Sequence, residues 1–240
     1  MKLPRAPATI LVLAACLAAA LSLPWPPRPA LLLGALALTA LATLCGVRVA
    51  GAVGLGAPLL EAAASPRRLR PRDFAPLGLG VATGIPLGVL LLFVIAPGVS
   101  RVPEIARRFA AEAALSPVQR LALSLTSAIL EELFFRLLLV SFLIWLFARL
   151  FQSPVGASAP DWAGWLSVTL VALAFGAAHL PRWTGRPGIG PSTLALVVLL
   201  NAVGGVLFGY LFWRRGLEAA IAAHAAANVV LHGLGPALLA

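Results

Sequence analysis

Leu130-Glu131-Glu132-Leu133-Phe134-Phe135-Arg136 is the stretch on which the reading of this chain turns. It lies inside an apolar run that begins at Pro117 and continues to about Phe151. Two adjacent carboxylates and a guanidinium occupy positions where a lipid-facing helix would carry Leu or Val. A charge at the bilayer centre costs at least about 2.5–3.5 kcal/mol on insertion scales, so such groups face a protein interior or a wet cavity. Three charges within six positions mark a functional site. On a helix, Glu132 and Arg136 are four apart, share a face and can pair, carboxylate first. Glu131 lies about 100° round the helix and is left free to face a pocket.

The surrounding composition names the class. Hydrophobic residues make up 61% of the chain and charged ones 11%, against roughly 25% charged in soluble domains. Apolar runs recur along the whole length: Ala8 to Leu23, Ala30 to Gly46, Ala75 to Pro97, Pro117 to Phe151, Trp162 to Leu180, Ser192 to Trp213, and Leu217 onward. Stretches of seventeen or more apolar residues recur among them, as membrane-crossing helices require. The expectation is an all-α, polytopic transmembrane bundle of about seven to eight spans in the lipid bilayer. Residues 1–116 supply N-terminal helices, and residues 117–240 form a core of four helices. The run from Pro117 is too long for one untilted span and must protrude, tilt or break. Ser116-Pro117 reads as its cap and first position.

The net charge of +10 belongs to arginines between apolar runs, where they anchor loops to anionic headgroups. It does not point to nucleic acid. Arg67, Arg68, Arg70 and Arg72 read as a cytoplasmic loop, and Ala50 to Ala64 as a short interfacial or half-buried helix. Arg101 to Leu115 mixes Arg107, Arg108, Glu104 and Glu112 with apolar residues, the pattern of a helix lying at the membrane surface. Gly80, Gly84 and Gly88, and again Gly205 and Gly209, are small-residue seams that let helix backbones approach. Arg214-Arg215-Gly216 reads as a turn. Orientation stays open: Lys2, Arg5 and the arginine cluster favour a cytoplasmic N-terminus, which strands Arg101, Arg107 and Arg108 on the far side. The bias to Ala, Gly, Pro and Arg is that of a GC-rich bacterial genome, hence an expected bacterial cytoplasmic membrane.

Cys16 and Cys45, the two cysteines, sit inside spans and build neither a disulfide framework nor a Cys-type metal site. Leu13-Ala14-Ala15-Cys16 resembles a lipobox. The apolar run passes Cys16 without a break, however, which reads as a first membrane helix carrying a buried cysteine.

Polar residues in the other spans are few: His179, His224, His232, Asn201 and Asn228. Phe175 and His179 are four apart at the end of the fifth run, with small residues between them. His224 and Asn228 share a face of an alanine-rich seventh run, where interhelical hydrogen bonding is the plainer explanation. His232 continues that stripe near the chain end, as an interfacial or supporting group.

The motifs Glu131-Glu132-x-x-x-Arg136, Phe175-x-x-x-His179 and His224-x-x-x-Asn228, in that order, resemble the CPBP family of CAAX prenyl proteases and bacteriocin-processing (Abi) proteins. That family includes the type II CAAX prenyl endopeptidase. The resemblance covers about Pro117 to Leu231. It implies an intramembrane endopeptidase acting on a peptide or membrane-protein substrate, with Glu131, His179, His224 and Asn228 catalytic. Glu132, Arg136 and Phe175 support them. No His-Glu-x-x-His zinc helix is present, no aspartyl pair lies in the spans, and no serine sits in a Gly-x-Ser-Gly setting.

Glu131 assisted by His179 is expected to activate water, with His224 and Asn228 donating to the oxyanion. The alternative makes Glu131, His179 and His224 ligands of zinc or another divalent metal. The metal-free form is preferred because no ligand pair has zinc-protease spacing. Signal-like peptides, bacteriocin leaders and membrane-protein tails all remain open as substrates. Two other classes fit less well. An ion- or proton-coupled transporter would show repeated halves, and a non-catalytic immunity or scaffold protein would keep the motifs for structure alone.

Overall fold

A computed structural model describes residues 5–23, 27–151 and 160–239; Lys2, invoked above for orientation, lies outside them. All regular elements among the described residues are helical. They are α1 (Arg5–Ser22), α2 (Pro29–Ala52), the short α3 (Pro58–Ala63), α4 (Ala75–Arg101) and α5 (Pro103–Ala113). The long α6 (Pro117–Leu150) follows, then α7 (Asp161–Ala178), α8 (Pro191–Arg215) and α9 (Leu217–Leu239). Among the described residues six helices are long and apolar enough to cross a membrane, and α1 is a shorter apolar helix beside them. The chain is an all-α polytopic bundle. Its outward residues fit a lipid solvent: Leu31, Leu33, Leu38 and Leu41 of α2 and Phe93 of α4 are all exposed.

The seams expected from glycine spacing hold the bundle together. Gly80, Gly84 and Gly88 of α4 press on α9, so that a methyl group at Gly84 would lie 2.1 Å from the Ala223 carbonyl oxygen. The alanine run of α9 is the other half of this contact. Thin helix meets glycine face, and the backbones come closer than any larger side chain allows. Gly205 and Gly209 of α8 lie against Ala172 and Val168 of α7 in the same way. Because α9 carries His224 and α7 ends at His179, these seams fix where the histidines stand.

Several boundaries differ from expectation for local reasons. Helix α2 runs to Ala52 rather than Gly46, carrying the exposed Arg48 in its last turns. Helix α1 continues through Cys16, which is half-buried rather than buried, its thiol 3.8 Å from the Leu36 carbonyl of α2. Helix α4 passes through Pro86 and Pro97. Ser116 and Gln119 cap α6 reciprocally, each side chain accepting from the other's backbone N–H, as a capping box requires. Gly216 makes the α8–α9 turn at φ 96°, a left-handed conformation open to glycine at little cost. The amphipathic α5 buries Glu104 and Phe109, and Arg107 and Arg108 both pair with Glu104.

Helix α6 does not break. From Glu132 to Val140 it loosens into a π-helical stretch, where the Ser141 N–H reaches back to the Arg136 carbonyl. Such widened turns recur at functional sites, and this one starts at the second glutamate. Helix α9 has a similar stretch at Val229–Leu234, just after Asn228.

Candidate active site

The one-residue step from Glu131 to Glu132 separates two environments. Glu132 is completely buried, and its Oε1 is approached from two sides. Arg136 Nη1 faces it as an ion pair at 3.1 Å, and His224 Nδ1 lies 2.8 Å away. Arg136, 1% exposed, also donates to the Gly205 carbonyl of α8 at 3.2 Å. Its guanidinium lies over the ring of Phe175 at 4.6 Å and near that of Phe208 at 5.5 Å. An aromatic face attracts a desolvated cation, so Phe175 and Phe208 complete the shell that the Glu132 carboxylate begins. The expected i,i+4 pair is present. Glu132 does more than the pairing argument gave it, because it also binds a histidine of another helix.

Glu131 faces the other way. Its carboxylate lines a cavity of about 470 Å³ and lies 3.7 Å from His224 Nε2. His179, His224, Asn228 and Phe175 line the same cavity, whereas Glu132 and Arg136 do not. All four residues named as catalytic candidates therefore border one space, of the size that ligand sites usually have.

The two histidines are held differently. His179 caps α7, and its Nδ1 lies 2.8 Å from the Phe175 carbonyl oxygen. A carbonyl only accepts, so Nδ1 carries the proton and Nε2 of a neutral ring is left as a lone pair. His224 instead gives Nδ1–H to the Glu132 carboxylate and stacks flat on Phe208, centroids 4.6 Å apart at 14°. Phe175 packs nearly perpendicular to both imidazoles, with ring centroids at 4.8 and 5.8 Å.

Asn228 bridges helices, as the plainer explanation of it required. Its Nδ2 donates to Ser127 Oγ at 3.1 Å and, at a long 3.4 Å, to the Ser124 carbonyl of α6. His232 lies farther out, half-buried, with Nδ1 3.0 Å from Glu112 Oε2 of α5. Near it Arg108 reaches from α5 to the Arg182 carbonyl and covers the Trp183 ring at 4.2 Å. The amphipathic helix is thus tied to the segment after α7 at the polar end of the cavity.

Ser124, Ser127 and Phe208 join the site without having been singled out by the motifs. The serines carry a signal in the sequence: Ser124, Ser127 and Glu131 are spaced three and four, on one helical face. Phe208 carries none, being one apolar residue among many in α8. Asn201, a polar residue to which no motif gives a role, also lines the cavity.

Among the described residues no three His, Cys, Asp or Glu side chains converge so as to hold a metal ion. Glu131, His179 and His224 border the same cavity but, as arranged, do not make such a donor set.

Residues 113–230 match the family model described as type II CAAX prenyl endopeptidase Rce1-like. No curated protein and no solved structure matches the chain. The matched segment begins at the end of α5 and closes two residues after Asn228, so it contains every cavity residue named as catalytic.

Proposed function

We propose, from the premise that residues 113–230 make this chain a relative of the type II CAAX prenyl endopeptidases, that it hydrolyses a peptide bond inside the membrane with water activated by Glu131 and His179. The observation that carries the reading is the meeting of Glu131, His179, His224 and Asn228 around one cavity. A peptide bond is hydrolysed when a base takes a proton from water and donors receive the charge that develops on the carbonyl oxygen.

The water sits between Glu131 and the Nε2 lone pair of His179. Glu131 takes its proton as the hydroxide oxygen bonds to the carbonyl carbon. The tetrahedral oxyanion receives hydrogen bonds from His224 and Asn228. His224 stands between two carboxylates, with Nδ1 2.8 Å from Glu132 and Nε2 3.7 Å from Glu131. It gives Nδ1–H to Glu132 and offers Nε2–H to the cavity. Asn228 keeps one N–H on Ser127 and turns the other from its long contact with the Ser124 carbonyl. Glu131 finally passes its proton to the departing amine, the C–N bond breaks, and the base is restored. Glu132 and Arg136 never meet substrate; they hold the His224 ring and the helix turn that carries Glu131. The substrate is a peptide or membrane-protein segment that enters the cavity extended.

The test is cleavage by purified protein of an internally quenched peptide library, comparing wild type with Glu131→Gln. Glu131 is partly exposed to the cavity, so the variant should fold. Its kcat should fall by about 10³, within the range for loss of a general base. A variant as active as wild type would remove Glu131 from the chemistry, and inertness of both proteins would favour a scaffold. Activity should survive chelation. Stoichiometric zinc, with activity lost on chelation and restored by zinc, would reverse the metal-free assignment.

A further inference from the structure

Asn201 is a polar side chain midway along an apolar helix, and a packing role does not explain it. An asparagine in a membrane bundle usually serves by hydrogen bonding to a neighbouring helix. Asn201 does not: its Nδ2 donates to the Val197 carbonyl of its own helix, at 2.8 Å. The other orientation of the amide would set oxygen against oxygen, so the nitrogen must face Val197. Oδ1 is then the free end, without a partner among the described residues, at a position that lines the cavity.

Its place along α8 is informative. Thr193, Val197, Asn201, Gly204 and Phe208, spaced four, four, three and four, make one helical stripe, and all five line the cavity. The stripe runs from the end of the cavity near Arg182 and Trp183 to Phe208, which stacks on His224. Thr193 and Asn201 are its polar members, and both are half-buried rather than sealed in the packing. Asn201 precedes Phe208 by seven residues, or about 10 Å of helix. An extended peptide advances about 3.3 Å per residue, so that length is about three residues of substrate. Gly204, between the two, also lines the cavity, and the space beside its Cα is bordered by Phe208 and Leu87.

We propose that Asn201 Oδ1 accepts a hydrogen bond from a backbone N–H of the substrate about three residues from the scissile bond. It is a subsite that reads main chain rather than side chain, and it selects for an extended peptide. Backbone amides entering a low-dielectric cavity lose their water partners, and an unpaired one is costly. A fixed acceptor at that depth restores one bond whatever the side chain beside it. The inference rests on the endopeptidase reading above.

The experiment is an N-methyl scan. The best-cleaved member of an internally quenched library of apolar peptides is resynthesised with each backbone N–H in turn replaced by N-methyl. Each version is assayed against wild type, Asn201→Ala and Asn201→Leu. Wild type should lose about tenfold in kcat/KM at one position two to four residues from the cleaved bond, the usual worth of one hydrogen bond in a desolvated site. The variants should start about tenfold lower on the parent peptide and show no further loss at that position. Because each ratio is taken within one protein preparation, partial misfolding of a variant cancels. If wild type cleaves but no position shows an Asn201-dependent loss, the subsite is overturned and the protease reading stands. If wild type cleaves nothing, both fall together.

Discussion

Glu131 and Glu132 are neighbours in the chain and live in different surroundings. Glu132 is buried against Arg136 and His224, the rings of Phe175 and Phe208 cover that arginine, and Glu132 takes no part in lining the cavity. Glu131 opens to a space of about 470 Å³. A single step of about 100° round the helix decides which of two identical side chains is scaffold and which is free for chemistry. His224 touches both, so it is the point at which the walled cluster and the cavity communicate. His179 belongs to the cavity side alone, because its one bond is to its own helix. If this division is right, changes on the walled side should cost stability first, and changes on the cavity side should cost activity first.

The strongest way to break the comparison is Glu132→Gln. It removes half of a buried ion pair and leaves the Arg136 guanidinium without a counter-charge, a loss of about 3–5 kcal/mol. The variant should melt far below wild type in detergent, whereas Glu131→Gln should stay within about 1 kcal/mol of it, as a change at a partly open position usually does. Combining Glu132→Gln with Arg136→Met should recover part of the loss, since the stranded cation is then gone. An unchanged melting temperature for the single variant would mean that the buried cluster is not what holds these helices in register.

The histidines sharpen the same division. His224→Ala should lower kcat by about 10³, the scale of a lost oxyanion donor. It should also reduce stability by about 1–3 kcal/mol by leaving Glu132 short of a partner. His179→Ala should lower kcat by about 10² and leave the melting temperature close to wild type. Equal stability losses in the two variants would contradict the asymmetry of their hydrogen bonds.

That asymmetry also marks the limit of what the sequence makes legible. The all-α bundle, the Glu132–Arg136 pair and the outward turn of Glu131 follow from hydropathy and from a period of 3.6 residues, which are local properties. The glycine seam on α4 and the alanine face of α9 are each visible in the sequence. That they are partners is not, because nothing in a linear pattern says which thin helix meets which. The bond from His224 to Glu132 joins residues 92 apart, and the stacking of Phe208 on His224 depends on the same crossing of α8 and α9. Spacing along one helix suggests that Glu132 pairs with Arg136. It cannot reveal a second duty toward another helix, nor that Asn228 is steadied by serines of α6.

Those serines give the smallest effect and the finest discrimination. Ser127 Oγ accepts from Asn228 Nδ2 at 3.1 Å, and it lies on the cavity face of α6 one turn before Glu131. Ser127→Ala removes one neutral hydrogen bond, worth about 0.5–1.5 kcal/mol. On the walled side such a loss would strand a buried polar group. Here the hydroxyl opens on the cavity beside Asn228 and the Ser124 carbonyl, so a water has both room and polar partners to take its place. Folding should therefore be unaffected, and the cost should surface as a looser Asn228, with kcat lower by about two- to tenfold at an unchanged KM. Ser127→Thr, which keeps the hydroxyl, should restore most of the rate. A lower melting temperature with an unchanged kcat would place Ser127 among the structural contacts, and the boundary between the two environments would then have to be redrawn to include it.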